Sequence, residues 1–418
     1  MQLNHHFPVL TSGVAVKKLC FFMVALIIVG IKLMQTINIG GNFVLSNFTY
    51  GCILVVLSGV IVSFSPEVRV GRLLAFFTLV GTMSLLSAKV GINDPSYQRL
   101  AFFVLMLMIL SPIVVSDSLS ELRLMMWRLL MGGLRLIIII SFIMYLSWET
   151  TRTNQFVFRG CVGHGMQLGV IGAIVTLDGM WHLLCRSEAR RIKALSFGII
   201  TAMAIIVTIA TGSRGAILAT AVGVIPLIWY IRHNRAKMIW LAVSLGVLVI
   251  SMAFTSFRSF DGVKTKTELS TQYGSLTLSR NYLWNARLQE FAERPLLGIG
   301  FGKTTSRQLP DNYKDTPFEK CSTIEPGSSW LNVLASTGII GFALMLWFNM
   351  KLIVRTVKSK TSDNRNLLFL SLLIALLIHG FFEGWLLYAG SITFMTYWLL
   401  SSRIISLSDS ESALNIID

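Results

Sequence analysis

The sequence predicts an all-α polytopic membrane protein with about twelve transmembrane helices and one large, partly helical periplasmic loop. Of its 418 residues, 54% are hydrophobic and only 13% are charged, and the mean hydropathy is +0.69. A soluble globular chain is usually about a quarter charged. Most of these side chains can therefore be solvated only by lipid, which excludes a soluble multidomain protein.

Twelve apolar runs are long enough to cross a hydrocarbon core of about 30 Å, which needs roughly 20 helical residues. They lie near 19–36, 43–64, 71–88, 100–116, 131–147, 165–184, 194–210, 215–231, 238–254, 329–350, 367–384 and 386–402. The pattern defines least well the start of the fifth run and the division between the last two. The runs predict spans 1–9 within residues 1–254, spans 10–12 within 328–402 and a cytoplasmic tail at 403–418.

The distribution of basic residues predicts the orientation of the chain. Lys and Arg number 36 against 20 Asp and Glu, a formal charge of +16, which in a soluble chain would suggest nucleic acid. With the N-terminus inside, about 19 Lys and Arg fall at the cytoplasmic side and about five in short outside loops. We therefore expect a bacterial inner-membrane protein with both termini cytoplasmic and no nucleic-acid partner. The first run follows Lys17 and Lys18 without a small-residue cleavage site, so it is predicted to be retained.

One connection, residues 255–327, is predicted to be a large periplasmic loop that folds back over the bundle. Connections of this length are usually functional or disordered. A helix is predicted over Asn281–Ala292, and a glycine-rich turn, Gly298–Gly302, follows it. Three apolar residues share one predicted face of that helix: Trp284, Leu288 and Phe291.

Two arginines on the predicted outer side are candidate anion-binding residues. Arg214 lies in the hairpin between the seventh and eighth spans, flanked by glycines that allow another group to approach closely. Its alternative role is that of an interfacial arginine whose side chain reaches lipid head groups. Arg280 comes just before the predicted loop helix, where a guanidinium and backbone N–H groups would suit an anion. Its alternative is an exposed loop arginine.

Three further residues are candidate acids or bases. Glu325 precedes the tenth span and is either a base or substrate-ordering carboxylate, or a solvated residue before a helix capped by Ser328 or Ser329. Glu383 lies four residues after His379 in the eleventh span, so the two would share a helical face and could pair. His164 opens the sixth span, where a structural role is the alternative to contact with substrate.

Several motifs of other enzyme classes are absent. The sequence has neither a phosphate-binding G-x-x-x-x-G-K-[ST] loop nor a dinucleotide-binding G-x-G-x-x-G turn, and no metal-ligand cluster on the outside. We therefore predict no cofactor and no metal. A disulfide between Cys161 and Cys321, both predicted outside, is possible, with two unpaired thiols as the alternative. Asp178 is the one acidic residue well inside a predicted span, fewer than proton-coupled transporters tend to carry.

Four motifs in this order resemble the O-antigen ligase and polysaccharide polymerase superfamily of bacterial membrane glycosyltransferases. They are Ser213-Arg214-Gly215, Ser279-Arg280 with Trp284 and Pro295–Gly302, Ser328–Gly341, and Phe382-Glu383-Gly384 with Ala389-Gly390-Ser391. The first 150 residues are similar only in hydropathy. The resemblance implies a GT-C-like membrane fold.

The resemblance also implies the chemistry. Members use an undecaprenyl-diphosphate-linked oligosaccharide donor on the periplasmic face, and an acceptor hydroxyl displaces the lipid diphosphate. Arginines at the positions of Arg214 and Arg280 are implicated in binding the diphosphate. Because the donor is already activated, neither ATP nor a metal is required. The expected partners are membrane lipid, a glycan or lipid A–core acceptor and a chain-length regulator.

One departure from the family pattern bears on the acceptor. Ligases that attach glycan to lipid A–core typically carry a histidine–asparagine pair where this chain has Gly327-Ser328. Glu325, Glu383 or His164 would then supply the base, or little base assistance would be needed. This favours a polymerase of O-antigen or exopolysaccharide repeat units, with an O-antigen ligase as the alternative. A lipid-linked oligosaccharide flippase is a third hypothesis, which would predict pseudo-symmetric halves and a polar path through the bundle.

Overall fold

A computed structural model of the protein describes residues 9–38, 47–63, 69–91, 94–147, 158–185, 191–234, 278–303, 327–359 and 364–407. These residues form mainly helices, and five helical stretches are long and apolar enough to cross a membrane, with Arg214–Ile231 counted as one stretch. The predicted class of an all-α membrane protein is therefore confirmed. The predicted ninth span and much of the predicted loop lie outside the described residues, so the count of twelve spans stays a prediction.

Thirteen helices and one small sheet are described within those ranges. The helices are α1 (Val9–Thr36), α2 (Asn47–Ser63), α3 (Arg72–Ser87), α4 (Pro95–Leu110), α5 (Asp117–Leu146), α6 (Gly165–Leu184), α7 (Arg191–Ala210), α8 (Arg214–Gly223), α9 (Ile225–Ile231), α10 (Leu278–Glu293), α11 (Ser329–Lys358), α12 (Arg365–His379) and α13 (Ile392–Ser406). Strand β1 (Arg69–Val70) pairs antiparallel with β2 (Val114–Val115).

The fifth span begins earlier than its apolar run predicted. Helix α5 begins at Asp117, after the N-cap residue Ser116, and not near residue 131. Arg123, which precedes the predicted fifth run, is only 2% exposed and donates hydrogen bonds to the carbonyls of Ile109 (2.8 Å) and Met108 (3.1 Å). Those carbonyls belong to the last turn of α4, which has no further helical N–H groups to bond. Arg123 therefore joins two helices.

The last two spans are separated by a longer connection than predicted. Helix α12 ends at His379 and α13 begins at Ile392, so residues 380–391 form a non-helical segment, termed here the turn segment. Its apolar composition favoured continuous helix over 367–384. However, Gly380, Gly384 and Gly390 each disfavour helix by about 1 kcal/mol relative to alanine. The hydroxyl of Ser391 then caps α13 by accepting the N–H of Phe394.

Helix α11 is interrupted at Gly338, and part of the predicted loop packs into the interruption. Gly338 has φ +65° and ψ −169°, and a Cβ there would collide with the carbonyl group of Leu296. The N–H of Ile339 donates to the carbonyl of Pro295 (2.8 Å), and the N–H of Ile299 donates to that of Ala335 (2.9 Å). Residues 295–302 therefore lie against the bundle, as expected for a loop that folds back over it.

A buried ion pair joins α5 to α6 within the bundle. The guanidinium of Arg135 contacts one carboxylate oxygen of Asp178 through Nη2 (2.6 Å) and Nε (3.0 Å). The side chain of Asp178 is 4% exposed and that of Arg135 is 26% exposed. Asp178 is thus neutralised by a partner that lies 43 residues earlier in the chain.

Candidate functional site

The predicted site residues that the structure describes lie at one end of the bundle. Helices α6, α8 and α11 begin at this end, and α7 and α12 finish there. It is termed the site end, and the opposite end is termed the far end. Four chain segments meet here, and each carries a motif that the sequence singled out.

The predicted hairpin around Arg214 is present at the site end. Gly212 adopts φ +60°, which lets the chain reverse between α7 and α8, and Arg214 is the first residue of α8. The side chain of Arg214 is half-buried. A Cβ on Gly169 of α6 would lie 2.7 Å from the Cβ of Ser213, so the hairpin packs closely on α6.

The hairpin also packs on the turn segment. A Cβ on Gly215 would lie 2.9 Å from the Cβ of Phe382, which is tighter than side chains tolerate. Only glycine therefore permits this approach. Arg214 and Glu383 are the chain neighbours of this contact, so the structure brings a predicted cation and a predicted carboxylate residue to adjoining segments.

The start of α11 is hydrogen-bonded to the turn segment through Ser329. Its N–H donates to the carbonyls of Gly380 (2.7 Å) and Glu383 (3.0 Å), and its hydroxyl donates to that of Glu383 (2.6 Å). The same hydroxyl accepts the N–H groups of Trp385 (3.0 Å) and Leu386 (3.1 Å). One buried serine thus fixes the backbone on both sides of Glu383.

The fourth segment is α10, which confirms the predicted loop helix and extends it at both ends. The indole N–H of Trp284 donates to the carbonyl of Gly327 (3.2 Å). Gly327 has φ +74°, and a Cβ there would lie 2.8 Å from that of Leu283. Arg280 lies within the first turn of α10, one turn before Trp284.

The buried face of α10 differs from the predicted one. Leu288, one of the three residues of the predicted apolar face, is 46% exposed, whereas Arg287 and Glu290 are fully buried and paired at 3.0 Å. Burial lowers the pKa of Arg287, and the nearby Glu290 carboxylate opposes that shift without cancelling it.

His164 has a structural role at the N-terminus of α6. It is the N-cap residue, and its Nδ1 atom accepts the N–H of Met166 at 3.3 Å. The side chain is exposed. This geometry agrees with the structural alternative, and a catalytic role for His164 stays a prediction.

His379 and Glu383 do not lie on one continuous helix as predicted, and their pairing stays a prediction. His379 is the last residue of α12 and is 2% exposed, while Glu383 lies in the turn segment. The N–H of Glu383 still donates to the carbonyl of His379 (3.1 Å). Gly380 caps α12, so the helical repeat that would align the two side chains ends before Glu383.

Two predictions involve residues outside the described ranges. Glu325 is one of them, although it lies only two residues before Gly327, which belongs to the site end. Cys321 is the other. Cys161 is a free buried thiol whose Sγ lies 3.3 Å from the hydroxyl of Ser141, and burial raises the pKa of Cys161. The Cys161–Cys321 disulfide is therefore not supported.

Lys32, a residue of α1 that contacts the turn segment, is not among the predicted site residues. Its side chain is 2% exposed, and Nζ donates to the carbonyl of Gly390 (3.3 Å) and to Gln35 (3.1 Å). The ammonium also lies 4.4 Å from the centroid of the Tyr50 ring. A lysine within a predicted span is itself a signal, because intramembrane charges are costly and usually functional.

The comparison with known families identifies one segment of the chain. Residues 199–346 match the family described as O-antigen ligase. The predicted resemblance to the O-antigen ligase and polymerase superfamily is therefore confirmed. The match includes Arg214, Arg280 and Glu325, whereas His164 and Glu383 lie outside it. The search of curated proteins gives no match.

Proposed function

We propose, from the match of residues 199–346 to the O-antigen ligase family, that this chain polymerises surface-polysaccharide repeat units from an undecaprenyl-diphosphate-linked donor. The family supports a ligase-type or polymerase-type glycosyltransferase. One observation carries the proposal. The Arg214 hairpin, the Glu383 turn segment and the start of α11 are packed and hydrogen-bonded together at one end of the bundle. In this proposal the site end faces the periplasm of the inner membrane, and both termini are cytoplasmic.

The proposed reaction is a direct displacement at the anomeric carbon of the donor. An acceptor hydroxyl forms a new C–O bond to that carbon, the C–O bond to the diphosphate breaks, and undecaprenyl diphosphate leaves with the electron pair. Arg214 and Arg280 hold the diphosphate, because guanidinium groups bind phosphate in a bidentate manner. They also stabilise the negative charge that grows on the leaving group. The donor supplies the activation, so the proposal needs neither ATP nor a metal.

The acceptor proton goes to a nearby base, for which Glu383 is our first choice. The bonds from Ser329 hold the backbone of Glu383 beside the Arg214 hairpin. Glu325 is the second choice, because it immediately precedes the segment that α10 covers. His164 is the third, since its Nδ1 atom is occupied by the N-cap bond.

The packing at Gly327 favours polymerase over ligase. A histidine at this position would have to adopt φ +74° and would collide with Leu283. Side chains with a Cβ rarely adopt that conformation. The local backbone of this chain is therefore built for glycine rather than for the histidine–asparagine pair of lipid A–core ligases. The acceptor in our proposal is a second lipid-linked glycan, and a chain-length regulator is an expected partner.

The test is gel analysis of lipid-linked and surface glycans from a deletion strain. The strain is complemented with wild type, Arg214→Ala, Arg280→Ala or the control Arg232→Ala, an exposed arginine at the far end that packs on Trp229. Loss of one charge-stabilising group typically lowers the rate about a hundred- to thousandfold. We therefore expect single repeats on the carrier in the deletion and in both site variants. Wild type and the control should restore the ladder. Lysine at either site position should rescue only partly.

The other outcomes are equally informative. Long polymer stranded on the carrier would make the chain a ligase. Wild-type chain lengths in both alanine variants, at equal protein level in the membrane, would refute the diphosphate clamp. Unchanged glycans in the deletion strain would refute glycosyl transfer and would favour the hypothesis of a lipid-linked oligosaccharide flippase.

A further inference from the structure

A cavity of about 60 Å³ lies at the far end of the bundle. It is bounded by the first residues of α3, the last turns of α11 and α13, and Pro112 beyond α4. Three basic residues line it: Arg72, Lys351 and Arg355. None of its described lining residues is acidic, so the described lining brings three basic side chains together.

The walls of the cavity are structured. The N–H of Gly71 donates to the carbonyl of Ile113 (2.7 Å), beside the β1–β2 pair, and a Cβ on Gly71 would lie 2.8 Å from the carbonyl oxygen of Pro112. Arg355 donates a hydrogen bond to the carbonyl of Ile405 and is 8% exposed. The guanidinium therefore has a fixed position, and the remaining walls are largely apolar.

The outer side of α11 next to the cavity is apolar and exposed. Trp347 is 60% exposed, Met350 51% and Val354 45%. In a helix long and apolar enough to cross a membrane, such a surface is solvated by acyl chains. The cavity thus combines clustered cations with an adjoining lipid-facing wall.

The cavity is remote from the site end. Ser329 and Lys351 are 22 residues apart on α11, which would span about 33 Å in a straight helix at 1.5 Å per residue, and somewhat less across the interruption at Gly338. A hydrocarbon core is about 30 Å thick. In the proposed orientation, the cavity and the candidate site therefore face opposite leaflets.

We propose that this cavity binds the phosphate head group of an anionic glycerophospholipid. Arg72 and Lys351 contact the phosphate, Arg355 contributes its charge, and an acyl chain follows the exposed apolar side of α11. Basic pockets between membrane helices bind anionic lipid head groups in this way. The lipid bridges α3, α11 and α13, so its binding stabilises the folded bundle.

The test measures lipid binding by the purified full chain. Native mass spectrometry counts lipids retained in detergent, and thermal unfolding is followed in nanodiscs of phosphatidylcholine with or without phosphatidylglycerol. The test variant is Arg72→Gln/Lys351→Gln, which spares the Arg355–Ile405 hydrogen bond. The control is Arg232→Gln/Lys358→Gln, two exposed cations of the same end that do not line the cavity.

We expect wild type and the control variant each to retain one phosphatidylglycerol molecule. The test variant should bind phosphatidylglycerol about tenfold more weakly, because each hydrogen bond to a charged group contributes strongly to the binding free energy. The rise in unfolding temperature caused by phosphatidylglycerol should disappear in the test variant alone. If the double variant does not fold, Lys351→Gln should bind phosphatidylglycerol more weakly while Lys351→Arg retains it.

Four results would overturn the proposal. The first is that phosphatidylglycerol binding weakens equally in the test and control variants, and the second is that wild type retains phosphatidylcholine with the same affinity as phosphatidylglycerol. The third is that inorganic phosphate at equal concentration raises the unfolding temperature as much as phosphatidylglycerol does. The fourth is that an equal amount of undecaprenyl phosphate displaces phosphatidylglycerol. The third would indicate a site for free phosphate, and the fourth a site for the carrier lipid.

Discussion

Lys32 shows at the scale of one residue how the first described helix contributes to the site end. Its ammonium is enclosed by the Tyr50 ring, Gln35 and the carbonyl of Gly390, so its charge is stabilised by dipoles and a ring face. An ammonium beside an aromatic face gains about 2 kcal/mol when desolvated. Lys32 therefore holds the turn segment in position and is a positioning residue in our proposal.

We predict that Lys32→Met strongly reduces polysaccharide chain growth without loss of the protein from the membrane. The substitution keeps the length of the side chain but leaves the carbonyl of Gly390 without its donor, which costs about 1–3 kcal/mol for a buried group. Lys32→Arg should restore part of the activity. The measurement is glycan ladder length against membrane protein level. Equal ladders from Lys32→Met and from Lys18→Met, an exposed lysine of the same helix, would contradict the prediction.

The pKa of Asp94 provides a pH-dependent prediction. Burial raises the pKa of this carboxylate, but hydrogen bonds from Ser96 and the charges of Lys303 and Arg99 outweigh it, so the pKa is below its ordinary value. Asp94 caps α4. Its contribution is complete above the unfolded-state pKa of about 3.9 and is lost as the pH falls through the lower folded value.

We therefore expect Asp94→Asn to change this pH dependence. Asparagine caps a helix but does not titrate. The stability advantage of wild type over Asp94→Asn should shrink as the pH is lowered from 7 to 3, when unfolding temperatures in detergent are compared. An advantage that stays constant over that range would show that the charge of Asp94 does not stabilise the fold.

At the scale of elements, the contact between residues 295–302 and the interruption of α11 determines where α10 lies. Gly338 and Gly298 both have positive φ, and each faces backbone atoms of the other segment. Neither position has room for a side chain. The interruption of α11 is therefore required for residues 295–302, which follow α10, to pack against α11.

We predict that Gly338→Ala destabilises the protein by several kcal/mol and abolishes chain growth. The added methyl group would meet the backbone of Leu296, and alanine disfavours the positive φ. Gly132→Ala in α5 is the control, because no atom lies within 4 Å of its new Cβ. It should stabilise by about 0.5–1 kcal/mol. Unfolding temperature and expression level measure both effects, and equal values for the two variants would contradict the assignment.

The elements also show where sequence reasoning succeeds and where it fails. The helix around Trp284, the hairpin at Arg214 and the cap at Ser328 are local features, and each was predicted from a few neighbouring residues. The orientation of α10 was not, because a buried Arg287–Glu290 pair replaces the expected apolar face. The end of α12 was missed because apolar composition outweighed the glycines of the turn segment. The charged side chain of Arg287 is buried beside a partner of opposite charge, and the spacing of apolar residues does not reveal that partner.

At the scale of the whole molecule, the Arg135–Asp178 pair fixes the relation of α5 to α6. Removing one partner of a buried pair typically costs about 3–5 kcal/mol, because the other charge is left unpaired. Replacing both partners with apolar residues is often close to neutral. The sequence showed that Asp178 is an acidic residue within a predicted span. Its partner, Arg135, could be identified only from the packing of the helices.

We expect a double-mutant cycle to show this coupling. Arg135→Met and Asp178→Leu should each destabilise the protein strongly, whereas the combined variant should recover most of the loss. Unfolding in detergent gives the three free-energy changes. Additive effects would mean that the pair contributes no coupling to the packing of α5 on α6.

The contact between Lys32 and Gly390 has a consequence for the order in which the protein is made. The two residues are separated by 358 positions, so a ribosome that adds 5–20 residues per second needs roughly 20 to 70 seconds to supply the second after the first. During that interval the turn segment, the Ser329 bonds and the Gly215–Phe382 contact cannot form. In the proposed function, the nascent chain would therefore be unable to use a lipid-linked donor during insertion, and activity would begin only after the final helices had entered the membrane.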